Sequence, residues 1–188
     1  IEDAAEAHGA VYKGRNAGSL GDMGALSLYV AHIISTVEGG LVTTNNPDFA
    51  EVLRSLRSHG RACKCESCVL NTASAYCAKR FRYGENEDIR FIFERIGFSS
   101  KMNELEAAVG LGKLKVYDAI LNKRRENLYY LIENFERFAP CLVTIKKETY
   151  EEIGPHALPI IIQEKAKFTR TQLVNYLEKS GIDTRTLF

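Results

Sequence analysis

The stretch GDMGALSLYVAHIISTVEGGLVTTNN, Gly21 to Asn46, decides the fold class of this chain. Its apolar run from Ala25 to Val30 predicts a buried strand, and Gly40 to Thr44 predicts a neighbouring strand. His32 follows the first strand by two residues, so we expect its side chain to project from the end of that strand. A lone histidine is more often structural than catalytic, but imidazole also carries protons near neutral pH.

The first residues of the chain predict another strand that ends close to His32. Ile1 to Asp3 has the pattern of a strand end, and Ala4 to His8 predicts a turn or a short helix. Asp3 would then lie at the carboxyl end of the sheet, where α/β proteins bind ligands, although an aspartate in this position also caps helices. Because the strand looks cut, we expect an internal part of a longer enzyme that is inactive alone. A short relative that folds by itself is the alternative.

Two helix starts are marked by capping residues. Asn46 followed by Pro47 predicts a helix, because asparagine caps helices and proline is tolerated in the first turn. Asn103 with Glu106 predicts a capping box for a helix over residues 104–114. A second helix with an apolar stripe at helical spacing follows it.

Beyond Pro140 the pattern changes to short strands around one helix. Thr169 with Gln172 predicts a capping box for that helix, and the predicted strands are Leu142 to Ile145, Leu158 to Ile162 and Ile182 to Arg185. We therefore expect an α/β region over residues 1–115 with an irregular loop at 61–94, a connecting helix at 116–140 and a partial α+β domain at 141–188.

The composition is that of an ordinary globular protein. Of 188 residues, 45% are hydrophobic and 26% are charged, and the formal net charge is +1. This charge supports neither nucleic acid nor a membrane surface as a partner. The sequence contains no apolar run of transmembrane length and no signal-peptide pattern, so we expect a cytoplasmic protein.

Further segments carry a family signal. They are IEDAAEAHGAVYKGRNAGS (1–19), RSHGRACKC (57–65), CAKRF (77–81), RIGFSSKMNELEAAVGLGKL (95–114) and FTRTQLVNYLEKSGIDTRTLF (168–188). Together with residues 21–46 they resemble the DegT/DnrJ/StrS sugar aminotransferases along nearly the whole chain. The Ala31-His32 pair and the cysteine loop most resemble the histidine-containing nucleotide-sugar 3-dehydratases of that family. The resemblance implies part of an aspartate-aminotransferase-like α/β large domain that binds pyridoxal phosphate, followed by part of a small α+β domain.

The resemblance also implies roles for individual residues. Asp3 would pair with the pyridine nitrogen of the cofactor, and Ser27 would bind its phosphate. Glu6 would contact the hydroxyl side of the ring, with a solvent-facing glutamate as the alternative. His32 stands where the family has a lysine that forms a Schiff base; imidazole cannot form one, but it can act as an acid and base.

Two positions depart from the family pattern. Val37 replaces a glycine in the loop before Glu38-Gly39-Gly40, which puts the geometry of that loop in doubt. Ser99 replaces an asparagine that in the family crosses a dimer interface to the cofactor phosphate of the neighbouring subunit. A homodimer is therefore expected. Because serine is shorter than asparagine, the resemblance implies that the contact at Ser99 is either lost or bridged by water.

Four of the five cysteines crowd into one loop. Cys63, Cys65, Cys68 and Cys77 form the pattern C-x-C-x2-C-x8-C, and four thiolates can hold zinc or a [2Fe–2S] cluster. Iron–sulfur members of the dehydratase group have C-x-C-x7-C and one upstream cysteine, which would fall near Ala5. The pattern here matches no standard site, so reduced thiols without metal are the alternative.

The resemblance implies an enzyme that uses pyridoxal or pyridoxamine phosphate on a nucleotide-linked 4-keto-6-deoxy sugar. His32 would be its acid and base in the dehydration and deoxygenation of C3. A sugar aminotransferase is one alternative; it needs a lysine at the cofactor, and nothing places Lys13 there. A non-catalytic regulatory or metal-binding relative is another, favoured by Val37 and Ser99.

Overall fold

The computed structural model describes residues 1–73 and 75–186, so the end of the predicted segment 168–188 lies outside the described residues. In this part of the chain, short strands precede and follow a helical middle. The strands are β1 (Glu2–Asp3), β2 (Val11–Tyr12), β3 (Arg15–Asn16), β4 (Gly24–Ser27), β5 (Gly40–Thr43), β6 (Leu142–Val143), β7 (Glu151–Glu152) and β8 (Ile161–Ile162). The α-helices are α1 (Pro47–Leu56), α2 (Val69–Thr72), α3 (Glu104–Leu114), α4 (Tyr117–Phe135) and α5 (Arg170–Lys179).

The first sheet has the order β1-β4-β5 and contains the strands predicted from the opening stretch. β1 runs parallel to β4, with Asp3 opposite Ala25, and β4 runs antiparallel to β5. β4 ends at Ser27, before the predicted Val30. The chain leaves the sheet there because it turns, with the His32 amide donating to the Tyr29 carbonyl at 3.0 Å.

The second sheet, β3-β2-β7, joins the start of the chain to its later part. Val11 lies opposite both Asn16 and Glu152. Strands of two residues show no alternation of apolar and polar residues, so the sequence pattern did not indicate this sheet. Lys13 (φ 48°) and Gly14 (φ 76°) form the turn between β2 and β3, and a type I′ hairpin turn requires positive φ at both central residues.

The predicted helix starts are confirmed. Asn46 Oδ1 accepts from the amide of Asp48 at 2.9 Å, and Pro47 is the first residue of α1. Both capping boxes form, Asn103 with Glu106 at α3 and Thr169 with Gln172 at α5.

Helix α4 lies in the predicted connecting region and packs on the start of the chain. Leu121 and Leu128 are buried, and a Cβ on Gly9 would overlap the Leu121 side chain. Arg125 donates to the Gly9 carbonyl at 2.7 Å, so part of the polar face of α4 is in contact with protein. The predicted division into domains stays a prediction.

The later strands are shorter than predicted, and residues 182–185 form no strand in the described structure. β6 and β8 pair antiparallel, with Leu142 opposite Ile162. After α5 the chain folds back, because the amide and hydroxyl of Thr184 donate to the Glu178 carboxylate at 2.7 and 2.6 Å. No helix in the described residues combines the length and apolar character needed to cross a membrane.

Candidate active site

The carboxyl ends of β1 and β4 lie side by side because these strands are parallel. The amide of Ala4 donates to the Ala25 carbonyl at 2.9 Å, and the amide of Ser27 donates to the Ala5 carbonyl at 3.3 Å. Asp3 and Ser27 are therefore at the same end of one sheet, which is where ligands bind in open α/β sheets.

Both side chains close turns and have hydrogen-bonding capacity to spare. Asp3 Oδ1 accepts from the Ala5 amide at 3.1 Å, and Ser27 Oγ accepts from the Tyr29 amide at 3.2 Å. A carboxylate has about four acceptor sites, and a hydroxyl is also a donor. Asp3 is exposed and Ser27 is half-buried, so a ligand at this edge of the sheet can reach both.

Sequence reasoning missed a structural role for His8. Its side chain is buried, and its Nε2 lies 2.7 Å from the Ser27 carbonyl oxygen. This contact ties the turn that carries Asp3 and Glu6 to the end of β4. Because no periodic pattern surrounds His8, nothing in its sequence neighbourhood indicated this role.

The loop that carries His32 is anchored by a buried threonine. Thr36 is 1% exposed; its amide donates to the Leu28 carbonyl at 2.9 Å and its hydroxyl donates to the Glu38 carbonyl at 2.6 Å. A Cβ on Gly110 would lie 2.8 Å from Thr36 Cγ2, so helix α3 packs closely on this threonine. The loop is thereby fixed between the sheet and α3.

Val37 lies in the same loop with a φ of 75°. This left-handed conformation suits glycine and costs a β-branched residue about 1–3 kcal/mol. Although valine replaces the glycine of the family pattern, the backbone at this position keeps the conformation that glycine would adopt.

The imidazole of His32 is nearly enclosed. Its side chain is 10% exposed, and Nδ1 is buried without a hydrogen-bond partner. The ring packs edge-on against Tyr29, with the centroids 5.8 Å apart. On the other side, Nε2 lies 3.7 Å from Glu6 Oε1.

His156 is a second residue that sequence reasoning missed. Its ring centroid lies 5.3 Å from that of His32, and its Nε2 lies 3.3 Å from Glu6 Oε1. Pairing of β7 with β2 brings this segment to the site, and Gly154 lies against the turn after β1, since a Cβ there would be 3.4 Å from Ala7 Cα. No local pattern in the sequence could show a contact between such distant segments.

Burial lowers the pKa of His156, while the nearby Glu6 carboxylate opposes the shift. His156 is therefore held in its neutral form near pH 7. A neutral ring beside a carboxylate can accept a proton or a metal ion.

Glu6, His32 and His156 form one cluster. One nitrogen or oxygen atom from each lies within 4.8 Å of the others, and no other group of three metal-ligating side chains does so in residues 1–73 and 75–186. Two imidazoles that share a carboxylate provide proton acceptors and donors within a small space.

The backbone contact of Ser99 is with a residue outside this cluster. It forms an isolated antiparallel bridge with Ser58, and the next amide, of Ser100, donates to the Arg57 carbonyl at 3.0 Å. Its side chain is exposed, beside the end of α1. The structure thus brings Asp3, Glu6, Ser27 and His32 to one end of the first sheet, whereas Ser99 pairs with Ser58 beside the end of α1.

The four cysteines of the loop line one cavity of about 420 Å³. All four thiols are free and half-buried, and burial is the largest cause of a raised pKa at Cys63. No three of these sulfur atoms lie within 4.8 Å of one another in the described structure. The thiols therefore share a space but do not form a closed metal site.

Charged side chains hold this loop in place. The Asp88 carboxylate accepts from Arg80 Nε at 2.7 Å and from Arg90 Nε at 2.9 Å. These guanidinium groups, Arg90 above all, hold the pKa of Asp88 well below its usual range. At the start of the loop, Lys64 Nζ contacts both Glu51 at 2.8 Å and Glu94 at 2.9 Å.

Curated relatives match the chain along its whole length. It is 36% identical over 199 residues to a dTDP-4-dehydro-2,6-dideoxy-D-glucose 3-dehydratase of Saccharopolyspora spinosa, covering 100% of this chain and 41% of the relative. It is 30% identical to a GDP-perosamine synthase of Caulobacter vibrioides, covering 100% of this chain and 44% of the relative. The chain thus spans less than half the length of these relatives.

A solved structure and a family model agree with this result. The E. coli GDP-4-keto-6-deoxy-D-mannose-3-dehydratase with bound hydrated PLP superposes with a TM-score of 0.74 at 26% identity, over 96% of this chain and 44% of that one. The expected α/β fold of pyridoxal-phosphate enzymes is confirmed by this similarity. The model of the DegT/DnrJ/EryC1/StrS aminotransferase family matches residues 1–188. Since that match covers every residue, the chain belongs to the DegT/DnrJ/EryC1/StrS aminotransferase family.

Proposed function

We propose that the full-length protein is a pyridoxamine-phosphate-dependent enzyme that removes the C3 hydroxyl of a nucleotide-linked 4-keto-6-deoxy sugar. The observation that carries this proposal is the identity of residue 32. A histidine, not a lysine, follows β4, and its ring is nearly enclosed beside Glu6. Similarity to a sugar 3-dehydratase supports the same reaction.

The side chains at the end of the first sheet fit the cofactor chemically. Asp3 would hold the pyridine nitrogen in its protonated form, and the Ser27 hydroxyl would donate to the phosphate. Glu6 would face the hydroxyl side of the ring. When bound, the cofactor supplies an electron sink for cleavage of the bond to the C3 oxygen.

His32 would then carry the proton. Its Nδ1 is buried and has no partner, so no competing hydrogen bond holds the ring. A general base works best with a pKa near the working pH, which imidazole provides, and the same group can return the proton to the leaving hydroxyl. Enclosure by Tyr29 and His156 limits access of water to the ring.

An aminotransferase is the alternative suggested by the similarity to a perosamine synthase. This reaction uses a lysine that bonds covalently to the cofactor. Lys13 lies in the β2–β3 turn of the other sheet, with its Nζ 5.2 Å from the centroid of the Tyr12 ring. This placement favours the dehydratase.

A non-catalytic relative on the same scaffold is the remaining alternative. Strain at Val37 and the serine at position 99 are the features in its favour. Binding of cofactor without turnover would identify it.

We further propose that the full-length protein is a homodimer that uses the surface around Ser99. Large apolar side chains are exposed there, with Ile96 92% exposed and Phe98 64% exposed. Exposed apolar patches of this kind mark protein interfaces. Sedimentation of the full-length protein tests this; a monomer that retains full activity would contradict it.

A metal or [2Fe–2S] cluster at Cys63, Cys65, Cys68 and Cys77 is a separate proposal. The shared cavity and the free thiols support it. The sulfur atoms would have to approach one another around the metal, since structural zinc requires Zn–S distances of about 2.3 Å. Elemental analysis of protein purified without oxygen should find about one site per chain; metal-free protein with four titratable thiols would contradict this.

The principal test uses the full-length protein and its cofactor. Absorbance is recorded with pyridoxal phosphate and then with glutamate, and the sugar product is analysed for loss of oxygen at C3. We expect conversion to the pyridoxamine form, followed by a 3-deoxy-4-keto product. We also expect the full-length protein itself in the cytoplasmic fraction of its source. Transfer of an amino group to C4 with C3 intact would instead establish the aminotransferase.

A further inference from the structure

Three side chains of metal-ligating type converge at the end of β4. Glu6 follows β1, His32 follows β4 and His156 follows β7, so the cluster is assembled from three separate segments. Two histidines with one glutamate form the protein ligand set of zinc sites that keep a fourth position open for water or substrate. The residue types alone therefore suit a borderline divalent cation rather than Mg²⁺ or Ca²⁺.

The distances agree with this ligand set. In a tetrahedral site with metal–ligand bonds of about 2.0–2.1 Å, neighbouring ligand atoms lie roughly 3.3–3.4 Å apart. Glu6 Oε1 lies 3.3 Å from His156 Nε2 and 3.7 Å from His32 Nε2. Shifts of a few tenths of an ångström would complete the geometry on the carboxylate side.

Neither imidazole is held by another polar partner. Nδ1 of His32 and Nδ1 of His156 are both buried without a hydrogen bond in the described structure. The His32 side chain is nine-tenths buried, and that of His156 is 26% exposed. The rings can therefore turn toward a cation without breaking hydrogen bonds to protein.

One side of the cluster is open. The Glu6 side chain is 61% exposed, so a hydrated ion can enter from this side and keep a water as its fourth ligand. The protein supplies the enclosed half through the two histidines.

We propose that Glu6, His32 and His156 form a binding site for a divalent cation of the zinc class, and that the bound cation prevents proton transfer by His32. The lone pair of His32 that binds the metal is the one that would accept the proton. The block of proton transfer rests on the proposed function, whereas the binding of the cation does not. Because the ligands come from distant segments, the cation also crosslinks the end of the first sheet to the segment after β7 and stabilises the folded state.

The test uses full-length protein in which the four loop cysteines are replaced by serine, with Co²⁺ alone as the probe. We expect one Co²⁺ per chain, with the visible absorption of a four- or five-coordinate site and no thiolate charge-transfer band, and a higher melting temperature that EDTA reverses. His156→Ala should weaken Co²⁺ binding by more than the roughly 10–100-fold that loss of an outer-shell partner costs. His59→Asn is the matched control, because it removes an imidazole outside the cluster and asparagine tolerates the φ of 66° found there.

Absence of the visible band, or equal Co²⁺ affinity in His156→Ala and His59→Asn, would overturn the site. Zn²⁺ should inhibit deoxygenation in proportion to the fraction of sites that it occupies. Full activity at saturating Zn²⁺ would overturn the proposal that the bound cation prevents proton transfer by His32. Spectroscopy and melting temperature judge the metal site whether or not the protein deoxygenates a sugar. A failure of the proposed function is thus distinguishable from a failure of the metal site.

Discussion

The ring of His156 packs edge-on against the ring of His32, with the centroids 5.3 Å apart and an angle of 74° between the planes. Glu6 contacts both rings. The candidate site is therefore completed by a residue from the part of the chain beyond α4. A substitution in that later part should therefore alter the contacts of the His32 ring.

His32→Asn in the full-length protein should preserve cofactor binding and abolish most deoxygenation. The Asp3 and Ser27 contacts remain, but the amide cannot carry a proton, so we expect the rate to fall by about 10²–10⁴-fold. Cofactor binding is followed by absorbance and the reaction by product analysis. A variant with the normal rate would exclude His32 as the acid and base.

His32→Lys should create a covalent link that borohydride reduces and traps on the peptide containing residue 32. The unmodified protein should show no trapped cofactor on any peptide. Mass spectrometry of digested protein provides the measurement. A reduced adduct on another lysine of the unmodified protein would restore the aminotransferase hypothesis.

Val37→Gly should stabilise the protein. Relief of the positive-φ strain is worth about 1–3 kcal/mol, and the greater entropy of unfolded glycine removes about 0.5–1 kcal/mol of that gain. We expect the free energy of unfolding to rise by about 1 kcal/mol in denaturant titrations. Val30→Gly is the control, since Val30 is 58% exposed and lacks a positive φ, and it should destabilise.

Asp88→Asn should loosen the cysteine loop. Loss of the carboxylate removes the partner of both Arg80 and Arg90, so the loop thiols should react faster with a thiol reagent. Glu87→Gln, at the neighbouring exposed position, is the control. Unchanged thiol reactivity in Asp88→Asn would show that these ion pairs do not hold the loop.

The Asp88 carboxylate should also contribute to the pH dependence of the free energy of unfolding. The pKa of Asp88 is lower in the folded state than in the unfolded state, so the unfolded state binds its proton first as the pH falls. The contribution is complete above the unfolded pKa of about 4 and is lost as the pH falls toward the folded pKa. Asp88→Asn should therefore flatten the acid limb of stability against pH.

His156 should make stability fall in the same direction as Asp88 does, but nearer neutrality. Burial lowers its pKa in the folded state, so the unfolded state takes up a proton first as the pH falls below about 6.5. Stability should decrease over that range. His156→Gln should remove this slope, as measured by denaturant titration from pH 8 to 5; an unchanged slope would assign it to another group.

The features that could be predicted from the sequence are those formed by residues close together in the chain. Asn46 and Asn103 cap their helices as expected, because a cap is a contact within one turn. The pairing of β4 with β5 followed from two apolar runs on either side of one loop. The placement of His32 at the end of β4 depended on the same local pattern.

What escaped prediction depends on contacts between distant segments. β2 and β7 are two residues each, too short to show alternation, and they pair across most of the chain. The residues around His156 in the sequence therefore did not indicate that it lies at the candidate site. The contact of Arg125 with Gly9 is of the same kind, since a charged helix face indicates solvent unless its partner is known.

The pairing of β7 with β2 has a consequence for the order of folding. β2 and β3 can close their hairpin as soon as both have left the ribosome, but their sheet gains its third strand only after Glu152 has been made. Closing so long a loop is slow and costs entropy before its contacts form. Until then the edge of β2 that will pair with β7 is unpaired, and nascent chains that stall before Glu152 expose that edge to other strands.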